Sequence, residues 1–227
     1  MNLFDLTEQE HTTYTKTIRI LVYPNITFSK DLLKDSFIQV IHNQIRLLNQ
    51  VRNDLYWYVI VPEYLDYLAF PNVTQYIMEF PTYPPLMRSH FDVIKFQQRM
   101  SPKIDIDLVM SHLPEHTHAI VNVLYNGTHH MPPVFGYCHW FDLKEIVAWS
   151  KDSFLQNILG LLEYDKCYIN TQAQRRMVLD EIEKNTPFGM GDVWENVADV
   201  LDVQYLGVDE TDVVEKPNYN PEKVIVF

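Results

Sequence analysis

Glycine is scarce in this chain, six residues in 227, and none falls in the turn Pro24-Asn25-Ile26-Thr27-Phe28 that follows the first β-branched run. A backbone that must approach a pyrophosphate closely needs glycine there, so a dinucleotide fingerprint is excluded. Gly-rich phosphate cradles are missing throughout, and so is Gly-x-Ser-x-Gly, the strained turn that carries a hydrolase nucleophile. Cysteine is nearly missing as well. Cys138 and Cys167 make neither a disulfide framework nor a zinc pattern, and each lies in an apolar strand-like run where a free thiol packs as a small hydrophobe. Basic residues are outnumbered, 18 Lys and Arg against 30 Asp and Glu, for a formal net charge of -12. That balance disfavours nucleic acid as a partner, a local basic patch apart. No apolar run approaches the roughly 18 residues that cross a bilayer, and residues 1–16 have no signal-peptide core. The expectation is a cytoplasmic protein with no transmembrane segment, in which the sequons at Asn25, Asn72 and Asn126 carry no weight.

What the chain does have is enough apolar material for a large core, 47% of residues against 21% charged. Ile18-Arg19-Ile20-Leu21-Val22-Tyr23 reads as a first strand. A helix capped by Ser29 or Asp31 runs from there to about Val51, and Leu55-Tyr56-Trp57-Tyr58-Val59-Ile60-Val61 is a second, buried strand closed by Pro62. Strand, long helix, strand is a βαβ unit in prospect. A short helix over 63–69 and a strand over 73–79 extend it, before the proline-broken aromatic loop 80–88 and an ambiguous helix over 91–100. Further strands are expected over 104–110, 134–139, 166–170 and 203–206, and helices over 116–125, 142–164, 171–183 and 192–200. Such alternation predicts an α/β class with a doubly wound, mostly parallel sheet.

The stretch Pro133-Val134-Phe135-Gly136-Tyr137-Cys138-His139-Trp140 ends an apolar strand abruptly in a histidine flanked by aromatics. Ligands of open α/β sheets collect at the carboxyl ends of the strands, so His139 marks either the rim of a cleft or a ring hydrogen-bonded within an aromatic cluster. His112, His116 and His118 gather near Glu115, but His116 and His118 stand two apart on a helix and diverge, which is poor metal geometry. Arg175-Arg176, on a helix with Asp180, Glu181 and Glu183, reads more readily as a salt-bridged surface than as a phosphate contact.

The order of these pieces resembles the amino-terminal Rossmann-like domain of GT-B fold glycosyltransferases, the retaining family of mannosyltransferase and sucrose synthase-like enzymes. The resemblance is carried by the strand 18–23 with its long helix, by Asp105-Ile106-Asp107-Leu108-Val109-Met110-Ser111-His112, and by Pro133-Val134-Phe135-Gly136-Tyr137-Cys138-His139. Asp165-Lys166-Cys167-Tyr168-Ile169-Asn170-Thr171 and Val203-Gln204-Tyr205-Leu206-Gly207-Val208-Asp209 complete it. It implies a three-layer domain over 1–212, with 213–227 as linker and first strand of a carboxyl-terminal GT-B domain that would act in cis or in trans. It implies a nucleotide-sugar donor as co-substrate, a hydroxyl acceptor, and neither a cofactor nor a metal. His139 matches the family histidine that reaches the donor and is the expected catalytic residue. Asn25, in the first-strand loop where many members have glycine, is a second donor contact; Ser111, His112, Tyr83 and Arg88 are expected on the acceptor side. Without its second domain the chain is expected to turn over little or nothing. Two alternatives remain open: a non-catalytic Rossmann-like interaction module, and a phage-type glycosyltransferase that modifies DNA.

Overall fold

The computed structural model describes residues 16–24, 36–78, 91–100, 105–139, 150–185 and 192–204. Among the described residues, seven strands form one sheet in the order β3-β2-β1-β4-β5-β6-β7, and each of their pairings is parallel. The strands are β1 (Ile18–Tyr23), β2 (Leu55–Val61), β3 (Val73–Ile77), β4 (Leu108–Ser111), β5 (Val134–Cys138), β6 (Lys166–Ile169) and β7 (Leu201–Val203). The helices are α1 (Ser36–Val51), α2 (Val93–Met100), α3 (Pro114–Thr128), α4 (Ser150–Leu161), α5 (Gln172–Asn185) and α6 (Asp192–Val200). Chain order runs outward from β1 to β3, then jumps back to β4 and runs outward the other way. The reversal between β1 and β4 is the topological switch point of a doubly wound, Rossmann-like three-layer fold.

Strand alternation explains the layers. Ile20 and Val22 pack on one face with Ile38, Ile41 and Ile45 of α1 and with Trp57 and Val59. Leu21 and Tyr23 point to the other face, where Phe96, Ile120, Val121, Ile158, Val178 and Val197 bring in α2 through α6. Buried on both sides, β1 has to be apolar at consecutive positions, which is why it reads as a β-branched run rather than an alternating one. The Trp57 indole N–H is satisfied at 3.0 Å by the side-chain carbonyl of Asn49, which also receives the amide of Asn72. The sequon at Asn72 is therefore consumed by the fold: its amide also donates to the Leu55 carbonyl at 2.9 Å.

Several element boundaries differ from the expected ones for identifiable reasons. Helix α3 starts at Pro114, two residues before the expected His116, because proline is tolerated where the first-turn N–H has no partner anyway. It continues past Tyr125 to Thr128 and stops at His129, in the left-handed region with φ of 56°, whose N–H closes on the Tyr125 carbonyl. The strand β7 begins at Leu201, directly after α6, not at Val203. The short helix expected over 63–69 is one 3-10 turn, Asp66–Leu68. Thr171 caps α5, its hydroxyl accepting the Gln174 N–H at 3.1 Å. Arg175 overturns its salt-bridge reading: its guanidinium donates to the carbonyls of Leu201 at 2.7 Å and Ala198 at 2.8 Å, tying the end of α6 to β7. The tail 213–227 and the strand expected in it lie outside the described residues.

Candidate functional site at the carboxyl tips of β1, β4 and β5

Ser111 ends β4 and Cys138 ends β5, so His112 and His139 are the first residues past two adjacent strand tips. On the other side of the switch point β1 ends at Tyr23, whose carbonyl receives the His112 N–H at 2.8 Å. The sheet thus sets the two imidazoles side by side. Nδ1 of His112 lies 3.1 Å from Nε2 of His139 in a hydrogen bond, with the rings 15° from parallel. Tyr137 lies nearly parallel to both, at ring-centroid distances of 5.7 and 5.6 Å. The Gln174 side-chain amide, from the first turn of α5, donates to the His139 carbonyl at 2.9 Å.

The pair is not openly displayed. His112 is wholly buried and His139 is 9% exposed. Burial, with a smaller push from neighbouring His139, lowers the pKa of His112 to about 3; burial lowers that of His139 to about 4. Both rings are neutral at physiological pH. Among the described residues, Nε2 of His112 has no hydrogen-bond partner.

Below this pair lies a layer of hydroxyls that fixes α3 against the sheet. The buried Ser111 hydroxyl bonds Thr117 Oγ1 at 2.8 Å, Thr117 donates to the Leu113 carbonyl at 3.0 Å, and Tyr164 donates to the Ser111 carbonyl at 3.1 Å. Ser111 is thereby held in the seam between strand and helix. Two glycines permit that seam to close. A Cβ on Gly136 would fall 1.6 Å from the Ser111 carbonyl oxygen, and one on Gly160 would fall 1.7 Å from that of Pro114. Next to the switch point, the Tyr23 hydroxyl bonds Nδ1 of His116 at 2.9 Å, with Phe91 packed against both rings. Burial, then the charge of Glu115, raises the Tyr23 pKa well above its ordinary value.

Of the expected site residues, the fold brings together His139 and His112, whereas the Ser111 hydroxyl turns to Thr117 in the buried seam and not to an acceptor side. Asn25, Tyr83 and Arg88 lie outside the described residues. The histidines of α3 separate as their spacing requires: His116 turns to Tyr23, while His118 turns to Glu163 at 2.6 Å. Among the described residues no three His, Cys, Asp or Glu side chains are grouped to hold a metal ion. Sequence reading passed over Tyr137 and Gln174, the residues that hold the His139 ring and backbone. No residue pattern marks either role: Gln174 comes beside residue 139 only because β5 pairs with β6. Compared with models of known protein families and with curated proteins, the sequence matches none.

Proposed function

We propose that this chain is the acceptor-side half of a glycosyltransferase that moves a sugar from a nucleotide-sugar donor to a hydroxyl acceptor. One juxtaposition carries the reading: two neutral imidazoles stand at neighbouring strand tips, beside the point where a parallel sheet reverses its order. Glycosyl transfer from a nucleoside diphosphate depends on placing a hydroxyl against the anomeric carbon, on excluding water, and on stabilising charge on the departing diphosphate. A neutral ring offers one donor and one acceptor to oxygen-rich ligands without the cost of burying a charge. The resemblance to GT-B amino-terminal domains supports the same assignment, with His139 as the donor contact and His112 next to it. The nucleotide pocket belongs, on this reading, to a carboxyl-terminal domain supplied in cis or in trans.

The test is transfer by the complete protein, purified with any native partner, from UDP- and GDP-linked sugars, read as nucleoside diphosphate release. His139→Ala is expected to lower turnover by about 100-fold or more when compared at matched folded fraction, since removing a buried, hydrogen-bonded ring also lowers the unfolding midpoint. Equal turnover at matched folding would remove His139 from the mechanism. A second reading, a non-catalytic interaction module, is favoured by the burial of both rings. Failure to bind or cleave any nucleotide sugar in that experiment would select it.

A further inference from the structure

Nδ1 of His112 and Nε2 of His139 share one hydrogen bond, so one of the two atoms carries a proton and the other does not. Burial keeps both rings neutral, which leaves each ring a single proton to place. If His139 donated from Nε2, the only proton of His112 would sit on its Nε2. That atom is buried and has no acceptor among the described residues. A buried N–H without an acceptor loses its whole hydration with nothing in return and is the rarest kind of unmet polar group. If His112 donates instead, its Nε2 carries only a lone pair, which tolerates the same surroundings at lower cost. The proton of His139 is then on Nδ1. Two further contacts hold the pair in place: Tyr137 stacks on both rings and Gln174 anchors the His139 carbonyl. Neither needs a particular tautomer, yet both restrict ring rotation, so the choice made at the shared bond persists.

We infer that His112 is a positioning residue for His139: by donating from Nδ1 it fixes His139 as the Nδ1-protonated tautomer, so that any oxygen of a sugar nucleotide reaching this ring meets a donor rather than a general base. The role toward the sugar nucleotide rests on the glycosyltransferase reading; the tautomer does not. The complementary ligand atom is an acceptor, such as a sugar hydroxyl oxygen or a diphosphate oxygen.

Ring nitrogens with and without a proton resonate far apart in nitrogen-15 spectra, so long-range proton–nitrogen correlation on histidine-labelled full-length protein tests the assignment directly. The expected pattern is Nδ1 protonated and Nε2 bare in both His112 and His139. His112→Asn, whose side-chain amide can donate from nearly the same place, should leave the His139 pattern intact. His112→Leu should lose it, with the His139 proton moving toward Nε2. A wild-type His139 protonated at Nε2 overturns the inference, as does a His139 pattern unchanged in His112→Leu. Should the leucine variant fail to fold, the wild-type and asparagine spectra decide alone. The spectra need no sugar nucleotide, so a correct tautomer in a protein that transfers no sugar would sink the functional reading and leave the pairing standing.

Discussion

At the scale of single residues, two features make sharp demands. Gly136 is required by close approach, not by backbone angle, because any side chain there collides with the Ser111 carbonyl across the β4–β5 pairing. Gly136→Ala should push these strands apart and cost more than about 4 kcal/mol, among the largest single-site losses. Urea denaturation measures it, and a loss below about 1 kcal/mol would show that the strands part freely. The histidine pair makes the molecule acid-sensitive. Unfolded, each ring titrates near 6.5; folded, His112 and His139 resist protonation down to about 3 and about 4. Between those limits the unfolded chain binds more protons, so stability falls with pH, by up to about 1.4 kcal/mol per unit for each ring. Asp107 adds to this lower down. Burial raises its pKa, but the Arg19 N–H, Lys16 and the Arg19 guanidinium outweigh that and hold it at about 2 against 3.8. Its contribution is present above about pH 4 and is lost as pH falls toward 2. Urea midpoints should thus decline from about pH 6.5 downward, and His112→Asn should flatten the limb between about pH 6 and 4.5. A wild-type midpoint constant to about pH 4 would mean that the rings are accessible to protons in the folded state.

At the scale of elements, the start of α3 is the part under most control. Leu113, the residue just before it, provides no side-chain cap, and the hydroxyls of Ser111, Thr117 and Tyr164 anchor the first turn instead. Removing one, as in Tyr164→Phe, should cost about 1–2 kcal/mol, because the Ser111 carbonyl then stays buried without that donor. Thermal unfolding reads the loss; no change would mean that water replaces the phenol. Elements were legible in the sequence wherever one physical signal dominated. The β-branched runs of β1 and β2 are of that kind. Reading failed where a connection vanishes, as between α6 and β7, where Val200 ends a helix and Leu201 starts a strand with no turn residue to mark the change. It failed at Arg175 for a different reason: its partners are carbonyls 23 and 26 residues ahead, and backbone acceptors leave no trace in residue types. His139 at a strand tip was readable from the run that precedes it. Its bond to His112 was not, since that depends on which strands become neighbours.

At the scale of the whole molecule, stability should be graded from the centre of the sheet outward. β1 is paired on both edges, while β3 and β7 have one edge each among the described strands. Amide hydrogen exchange should be slowest at Leu21, Val22 and Val109 and faster by orders of magnitude in β7. Uniform protection across the seven strands would show that the sheet opens only all at once.

The separation of β1 from β4 in the chain has a cost during synthesis. Val22 is joined on one edge by Val59, but on the other by Met110, 88 positions later. While a ribosome makes that intervening stretch, the strand destined for the middle of the sheet has a bare, strongly apolar margin open to any passing chain. A pause in translation before residue 111 would lengthen this exposure and favour association between nascent chains, so a binding factor that shields the margin should raise the yield of folded protein more than one acting after release.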